Sequence, residues 1–349
     1  MKSMSLLRRL ATYATGLSAI LLLTACERPF QDSVQHGYRG TGMVQVYNPR
    51  TLETQDALNT APAPLPAAAT DGPRAKDVYK NVQVLGNLSA GEFVRVMTAM
   101  TNWVAPTEGC VYCHNPANFA EDTKYTKVVA RRMVEMTRHI NSDWKNHVAE
   151  TGVTCYTCHR GNNIPQNVWF KSPPQKGGNM LGNLNEQNSA SPSAAYSSLP
   201  NETYSKFLLA SNPARIQGKD GLPNGNKHSI LATEEVYGIM MHFSQSLGVN
   251  CTYCHNTQAF SDWTHSTPQR AQSWHAIQMV KDVNNTFMVP LTSTFPKHRL
   301  GETGDVAKAN CATCHQGVNK PLYGKSMLSD HPYLTKPAAE VNAKTVAMK

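Results

Sequence analysis

Eight of the nine cysteines in this 349-residue chain fall in four copies of one pattern, Cys-x-x-Cys-His. The copies are Cys110, Cys113 and His114; Cys155, Cys158 and His159; Cys251, Cys254 and His255; and Cys311, Cys314 and His315. On one helical turn, positions i, i+3 and i+4 share a face. Two thiols and an imidazole are thereby offered to one flat group from the same side. That is the attachment chemistry of c-type haem, with the thiols bonded to the two vinyl groups and the histidine on the iron. A single copy would also suit a zinc knuckle. Four copies, each with His directly after the second Cys, point to four covalently bound haem c groups. No pair then remains for disulfides, and the haems take over the stapling that disulfides give many exported proteins.

The elements that position these motifs repeat. Glu92–Met97 aligns with Glu235–Met240, and Tyr112–Asn115 with Tyr253–Asn256, each followed by a Phe, at 119 and 260. Val134, Met136, Ile140 and Asn141 match Ile277, Met279, Val283 and Asn284. Cys158-His-Arg-Gly161 matches Cys314-His-Gln-Gly317. Such repetition is read before fold, and it predicts two blocks, each carrying two haems, related by an approximate twofold.

The repeat also bears on the iron's other face. Segment 89–103 has a helical pattern with Ser89 as N-cap and Glu92 at N3. On it, Met97 falls on Met240 in the repeat, whereas Met100 falls on Phe243. Met97 and Met240 precede their motifs by 13 and 11 residues. A helix, a turn and then the motif return the sulfur over the haem, which assigns Met97 to the first haem and Met240 to the third. For the other two, helix 127–142 offers Met133 and Met136, and helix 271–286 offers Met279. His139, His147, His275 and His298 are alternative nitrogen ligands, and the residues alone leave this pair open.

The ninth cysteine, Cys26, follows Lys2, Arg8, Arg9 and an apolar stretch from Leu10 to Ala25. This is a secretory layout, and Leu23-Thr24-Ala25-Cys26 resembles a bacterial lipobox. The expectation is a signal peptide over 1–25, a diacylglycerol on Cys26, and a water-soluble body tied to a membrane outside the cytoplasm. The formal charge of +9 falls to about +6 without residues 1–25. Eight ionised propionates bring it to roughly −2, so the basic balance is no nucleic-acid signal.

Composition divides the rest. Residues 26–75, rich in Pro, Ala and Thr, read as an irregular anchor segment. The first two-haem block spans 76–160, a connecting segment rich in Asn, Gly, Ser and Pro spans 161–226, the second block spans 227–320, and a C-terminal segment covers 321–349. With 43 glycines and prolines and few strand patterns, the fold class is mainly α with extensive irregular chain.

Lipobox, long lead segment, two two-haem blocks and the phrase Thr151-Gly-Val-Thr-Cys-Tyr-Thr-Cys-His-Arg-Gly161 resemble the tetrahaem cytochrome subunit of purple-bacterial photosynthetic reaction centres. The resemblance covers most of residues 26–335. It implies three Met/His haems and one bis-His haem: Met97 on the first, Met133 on the second, Met240 on the third, and His147 crossing to the fourth. It favours Met133 although the repeat favours Met136. It also implies an electron-transfer subunit, not an enzyme, on the periplasmic face of the photosynthetic membrane. The partners implied are the reaction-centre subunits carrying the special pair and a soluble donor, a cytochrome c or a high-potential iron–sulfur protein. Thioether ligands favour ferrous iron and raise potential relative to bis-His ligation. Four six-coordinate irons leave no open position for substrate. That argues against a multihaem reductase. The short apolar run and the Met ligands argue against a membrane-spanning quinol oxidase.

Overall fold

A computed structural model of the chain describes residues 30–37, 40, 42–173, 191–200, 202–215 and 230–336. The signal segment, Cys26 and parts of the connecting and C-terminal segments lie outside them. Among the described residues the chain is helical and irregular, with a single two-stranded sheet.

That sheet lies in the lead segment. β1 (Asp32–Gln35) pairs antiparallel with β2 (Val44–Tyr47), Asp32 opposite Tyr47. Helix α1 (Pro49–Leu58) follows, started by the Asn48 side chain accepting from the Arg50 amide and by Pro49, whose fixed φ suits a first turn. The lead segment is thus more regular than its composition predicts. It is ordered by contacts far away in sequence. Val44 O accepts from Asn250 Nδ2 at 2.8 Å, and Asn59 Oδ1 accepts from the Leu322 amide at 3.3 Å.

α2 (Ala90–Val104) begins at the expected capping box: Ser89 Oγ accepts from the Glu92 amide and Glu92 Oε2 from the Ser89 amide, both at 3.1 Å. It buries Val96, Ala99 and Trp103. α3 (Tyr125–Asp143) buries Val134, Thr137, Ile140 and Asn141, and the single turn α4 (Lys145–Val148) carries His147. The second half carries α6 (Ile230–Leu247) and α7 (Pro268–Asp282). The helix expected to reach residue 286 widens instead into π-helical turns over Val283–Met288.

Two apolar cores form. One joins α2 and α3 to Leu322, Met327 and Leu334 from the far end of the chain. The other joins α6 and α7 to Trp169, Tyr204, Phe207 and Leu208 from the connecting segment. One asparagine buttresses each. Asn141 Nδ2 donates to Val153 O and Leu334 O at 2.9 and 2.8 Å, and its Oδ1 accepts from the Val153 amide at 2.7 Å. Asn284 Nδ2 donates to Ala309 O and Leu208 O at 2.9 and 3.0 Å, and its Oδ1 accepts from the Ala309 amide at 2.8 Å.

Candidate haem sites

The second and fourth motifs are single α-helical turns, α5 (Cys155–His159) and α8 (Cys311–His315). Each has a capping pair, Thr154 with Thr157 and Asn310 with Thr313. The first and third motifs start as tighter turns, Gly109–Tyr112 and Cys251–Tyr253. Even there the histidine amide bonds back four residues, His114 to Cys110 O and His255 to Cys251 O, both at 3.0 Å. The pattern therefore closes one turn in all four copies.

Every motif histidine is oriented in one way. Nδ1 donates to a backbone carbonyl: His114 to Phe119 at 3.1 Å, His159 to Asn162 at 2.8 Å, His255 to Phe260 at 2.8 Å, and His315 to Val318 at 2.9 Å. Burial holds His159, His255 and His315 below the ordinary imidazole pKa, with the carbonyl bond opposing it. A neutral ring whose Nδ1–H is committed leaves the Nε2 lone pair for a metal, and such a partner fixes the tautomer of ligating histidines. The rings of Phe119 and Phe260 stack on His114 and His255 at 4.9 and 4.3 Å, which accounts for the repeat of these phenylalanines.

The thiols lie beside these rings. Burial raises the pKa of Cys113 and Cys254 and pushes Cys155 and Cys311 up to about 11 and about 12. A cavity of ≈ 1150 Å³ runs along the cysteines and histidines of the first, second and fourth motifs. It exceeds the roughly 300–1,000 Å³ of a pocket for one small ligand. Met97, Met133, Met136 and His147 line it, as do Met100 and Met279. Its size, apolar lining and oriented imidazoles fit covalent haem. Met240 instead packs against the second core, and Cys251, Cys254 and His255 lie outside the cavity lining.

His147 faces the fourth motif. Its ring centroid is 6.0 Å from that of His315, the planes inclined at 50°. Burial first, and then the neighbouring His315, lower its pKa to about 4, and the nearby Gln272 backbone only partly offsets this. Its Nδ1 is buried with no hydrogen-bond partner among the described residues. The other candidate histidines are placed differently. His139 is held between Asp143 (Nδ1–Oδ2 2.5 Å) and Asp282 (Nε2–Oδ2 2.5 Å), which occupies both nitrogens. His298 is exposed. His275 stands edge-on to Trp274.

Cys158 and Cys314, the second cysteines of the second and fourth motifs, lie side by side, their Cα atoms 4.3 Å apart. The packing of α5 on α8 brings together two sulfurs that spacing within each motif cannot relate. Sequence reading also passed over Arg160, which follows His159. Its Nη2 donates to Cys314 O and Asn59 Oδ1, both at 3.2 Å, and its charge helps keep His315 neutral. Arg270 lies over the Trp263 ring at 4.1 Å, and its charge adds to the burial that lowers the pKa of His255.

Cys-x-x-Cys-His turns that present oriented imidazoles beside their thiols, around apolar space, define a c-type cytochrome. The comparisons narrow the class. The sequence model of the family described as photosynthetic reaction centre cytochrome C subunit matches residues 27–335. The photosynthetic reaction center cytochrome c subunit of Rubrivivax gelatinosus is 53% identical over 345 residues, covering 98% of this chain and 94% of the relative. The subunit of the same name from Thermochromatium tepidum is 48% identical, covering 97% and 84%. That from Roseobacter denitrificans is 42% identical, covering 88% and 87%. The chain belongs to the photosynthetic reaction centre cytochrome c subunit family: an electron-transfer subunit with covalently bound haem c, associated with the reaction centre and its membrane. Among the described residues no helix is long and apolar enough to cross a membrane.

Proposed function

We propose that this subunit holds four covalent c haems and re-reduces the photo-oxidised special pair of the reaction centre with electrons from a soluble periplasmic donor. The observation that carries the reading is the fourfold recurrence of one device, a motif histidine whose Nδ1–H is bonded to a carbonyl three or five residues on. When bound, haem supplies reversible one-electron chemistry at iron.

Cys110 and Cys113, Cys155 and Cys158, Cys251 and Cys254, and Cys311 and Cys314 anchor the four groups. His114, His159, His255 and His315 hold the irons from the motif side. Met97, Met133 and Met240 supply thioether sulfur from α2, α3 and α6 to the first, second and third irons, favouring the ferrous state. His147 completes the fourth. The ring of His147 lies 6.0 Å from that of His315, so the two histidines together would hold the fourth group. With side chains holding each group in this way, it would supply electron transfer and not substrate binding.

The matched bonds of Asn141 and Asn284, and of His114–Phe119 and His255–Phe260, support two two-haem blocks related by an approximate twofold. A lipid on Cys26, with the signal removed, would tether the body to the periplasmic face of the membrane.

A redox titration of the membrane-bound subunit, followed at the haem α-band, tests the ligand set. Three one-electron components at higher potential and one lower, all low-spin, are expected. A high-spin component would contradict it and favour a multihaem enzyme.

A further inference from the structure

The carbonyl that orients His114 is shared. Phe119 O accepts from His114 Nδ1 at 3.1 Å and from Lys127 Nζ at 2.8 Å. Lys127 stands in the first turn of α3 and is 7% exposed. An ammonium taken out of water needs all three of its donors satisfied. Phe119 O, Glu121 O at 2.8 Å and Asp122 Oδ1 at 3.2 Å satisfy them. Asp122 is itself divided between Lys127, Arg131 at 2.8 Å and Asn81 at 3.0 Å, so it cancels the ammonium only in part.

The second block differs at this point. Lys127 and Arg270 stand at the same distance before Asn141 and Asn284. Arg270 donates to Asp262 O at 2.9 Å, as Lys127 does to Glu121 O, and to Ser261 O at 3.3 Å. Its bonds fall one and two residues beyond the carbonyl that His255 uses. Among the described residues, no lysine or arginine donates to Phe260 O, Asn162 O or Val318 O. The orienting bonds of His159, His255 and His315 measure 2.8, 2.8 and 2.9 Å, and that of His114 is the longest of the four. A carbonyl that already carries a cationic donor has less electron density to offer a second, which accounts for the difference.

The strength of that bond matters at the metal. A histidine whose Nδ1–H is firmly held is a more basic ligand at Nε2, and a more basic ligand favours ferric iron. By drawing on Phe119 O, Lys127 makes His114 the weaker electron donor. Its positive charge, little screened where water is excluded, opposes a ferric centre as well. The two effects have the same sign.

We propose that Lys127 is a positioning residue for the first haem, lessening the basicity of His114 through the shared Phe119 carbonyl and so raising that haem's reduction potential. The proposal rests on the tetrahaem reading.

The test is a redox titration of the full membrane-bound subunit, followed at the haem α-band, in wild type and variants. Lys127→Met should lower one component. At a fixed ambient potential its ratio of oxidised to reduced haem should rise about tenfold, or 59 mV for a one-electron couple. The other three components should hold still, and Lys127→Arg, which returns a cationic donor, should recover most of the shift. Arg131→Gln takes a cation from Asp122 without touching Phe119 O, and should change the ratio by about twofold or less. An equal fall in Arg131→Gln, no fall in Lys127→Met, or four components moving together would overturn the proposal. Lys127→Gln, which keeps a neutral donor, is the second variant and should show part of the same fall. If both variants leave the first motif without haem, Lys127 serves assembly and the proposal is wrong. Met97→His marks the first haem and should lower the component that Lys127→Met lowers. If the two act on different components, the role of Lys127 fails. If Met97→His moves none while Lys127→Met lowers one, the Met97 assignment fails and the role of Lys127 stands. Failure of the tetrahaem reading would look different again: the wild-type titration would show fewer than four components.

Discussion

His147, from the first block, stands 6.0 Å ring to ring from His315, the histidine of the fourth motif. The contact spans 168 residues of sequence and joins the single-turn helix α4 to the fourth-motif turn α8. Replacing His147 with Met should convert a bis-His site to Met/His and raise one component of the redox titration. A shift on the order of 100 mV is expected, well within the roughly 0.8 V that axial ligands span. The other three components should hold still. If all four moved together, or none did, His147 would not be an axial ligand.

The buried asparagines should behave as equivalents. Asn141→Ala and Asn284→Ala each remove three hydrogen bonds and leave a buried amide and carbonyls without partners. Each should cost about 3 kcal/mol, read as a lower thermal midpoint of the holoprotein. A loss below about 0.5 kcal/mol in either variant would show that its bonds do not support the fold.

Acid stability should depend on Asp282. Burial alone would raise its pKa, but bonds from His139, Thr286 and Trp144 outweigh this and hold it at about 2 instead of 3.8. A depressed carboxylate pKa contributes stability that is present above the unfolded value and is lost as pH falls through the folded one. The window is therefore about pH 4 to 2, and the contribution is on the order of 2 kcal/mol. Asp282→Asn should flatten the stability profile across that window. An unchanged slope would assign the acid loss elsewhere, and Asp143, which bonds His139 and Lys336, is the next group to replace.

The motifs were legible because their chemistry is local. A cysteine, a cysteine and a histidine within five residues carry their own geometry, and the capping box of Ser89 and Glu92 was readable for the same reason. The repeat made Asn141 and Asn284 recognisable as a pair, but not what they bind, since Leu334 and Leu208 come from distant chain. The same holds for Cys158 with Cys314 and for Arg160 with Cys314 O. These contacts exist only once α5 and α8 are packed. The β1–β2 hairpin was hidden by a Pro- and Ala-rich surrounding, and its order comes from Asn250 in the second block. Met133 and Met136 were not separable by period, and both line the cavity.

Membrane attachment is expected to rest on one atom, Cys26 Sγ. Cys26→Ser should remove the lipid, seen as the loss of a diacylglycerol mass from the N-terminal peptide. The variant should move to the soluble fraction once the reaction centre is solubilised away. A Cys26→Ser subunit that stays with the membrane by itself would place the anchor in an uncleaved apolar segment.

The most direct test of the central claim is a single-turnover flash on native membranes, recording the haem α-band together with recovery of the special pair. The account predicts that haem oxidation appears with the same time constant as re-reduction of the pair. Haems that stay reduced while the pair recovers from another source would contradict it.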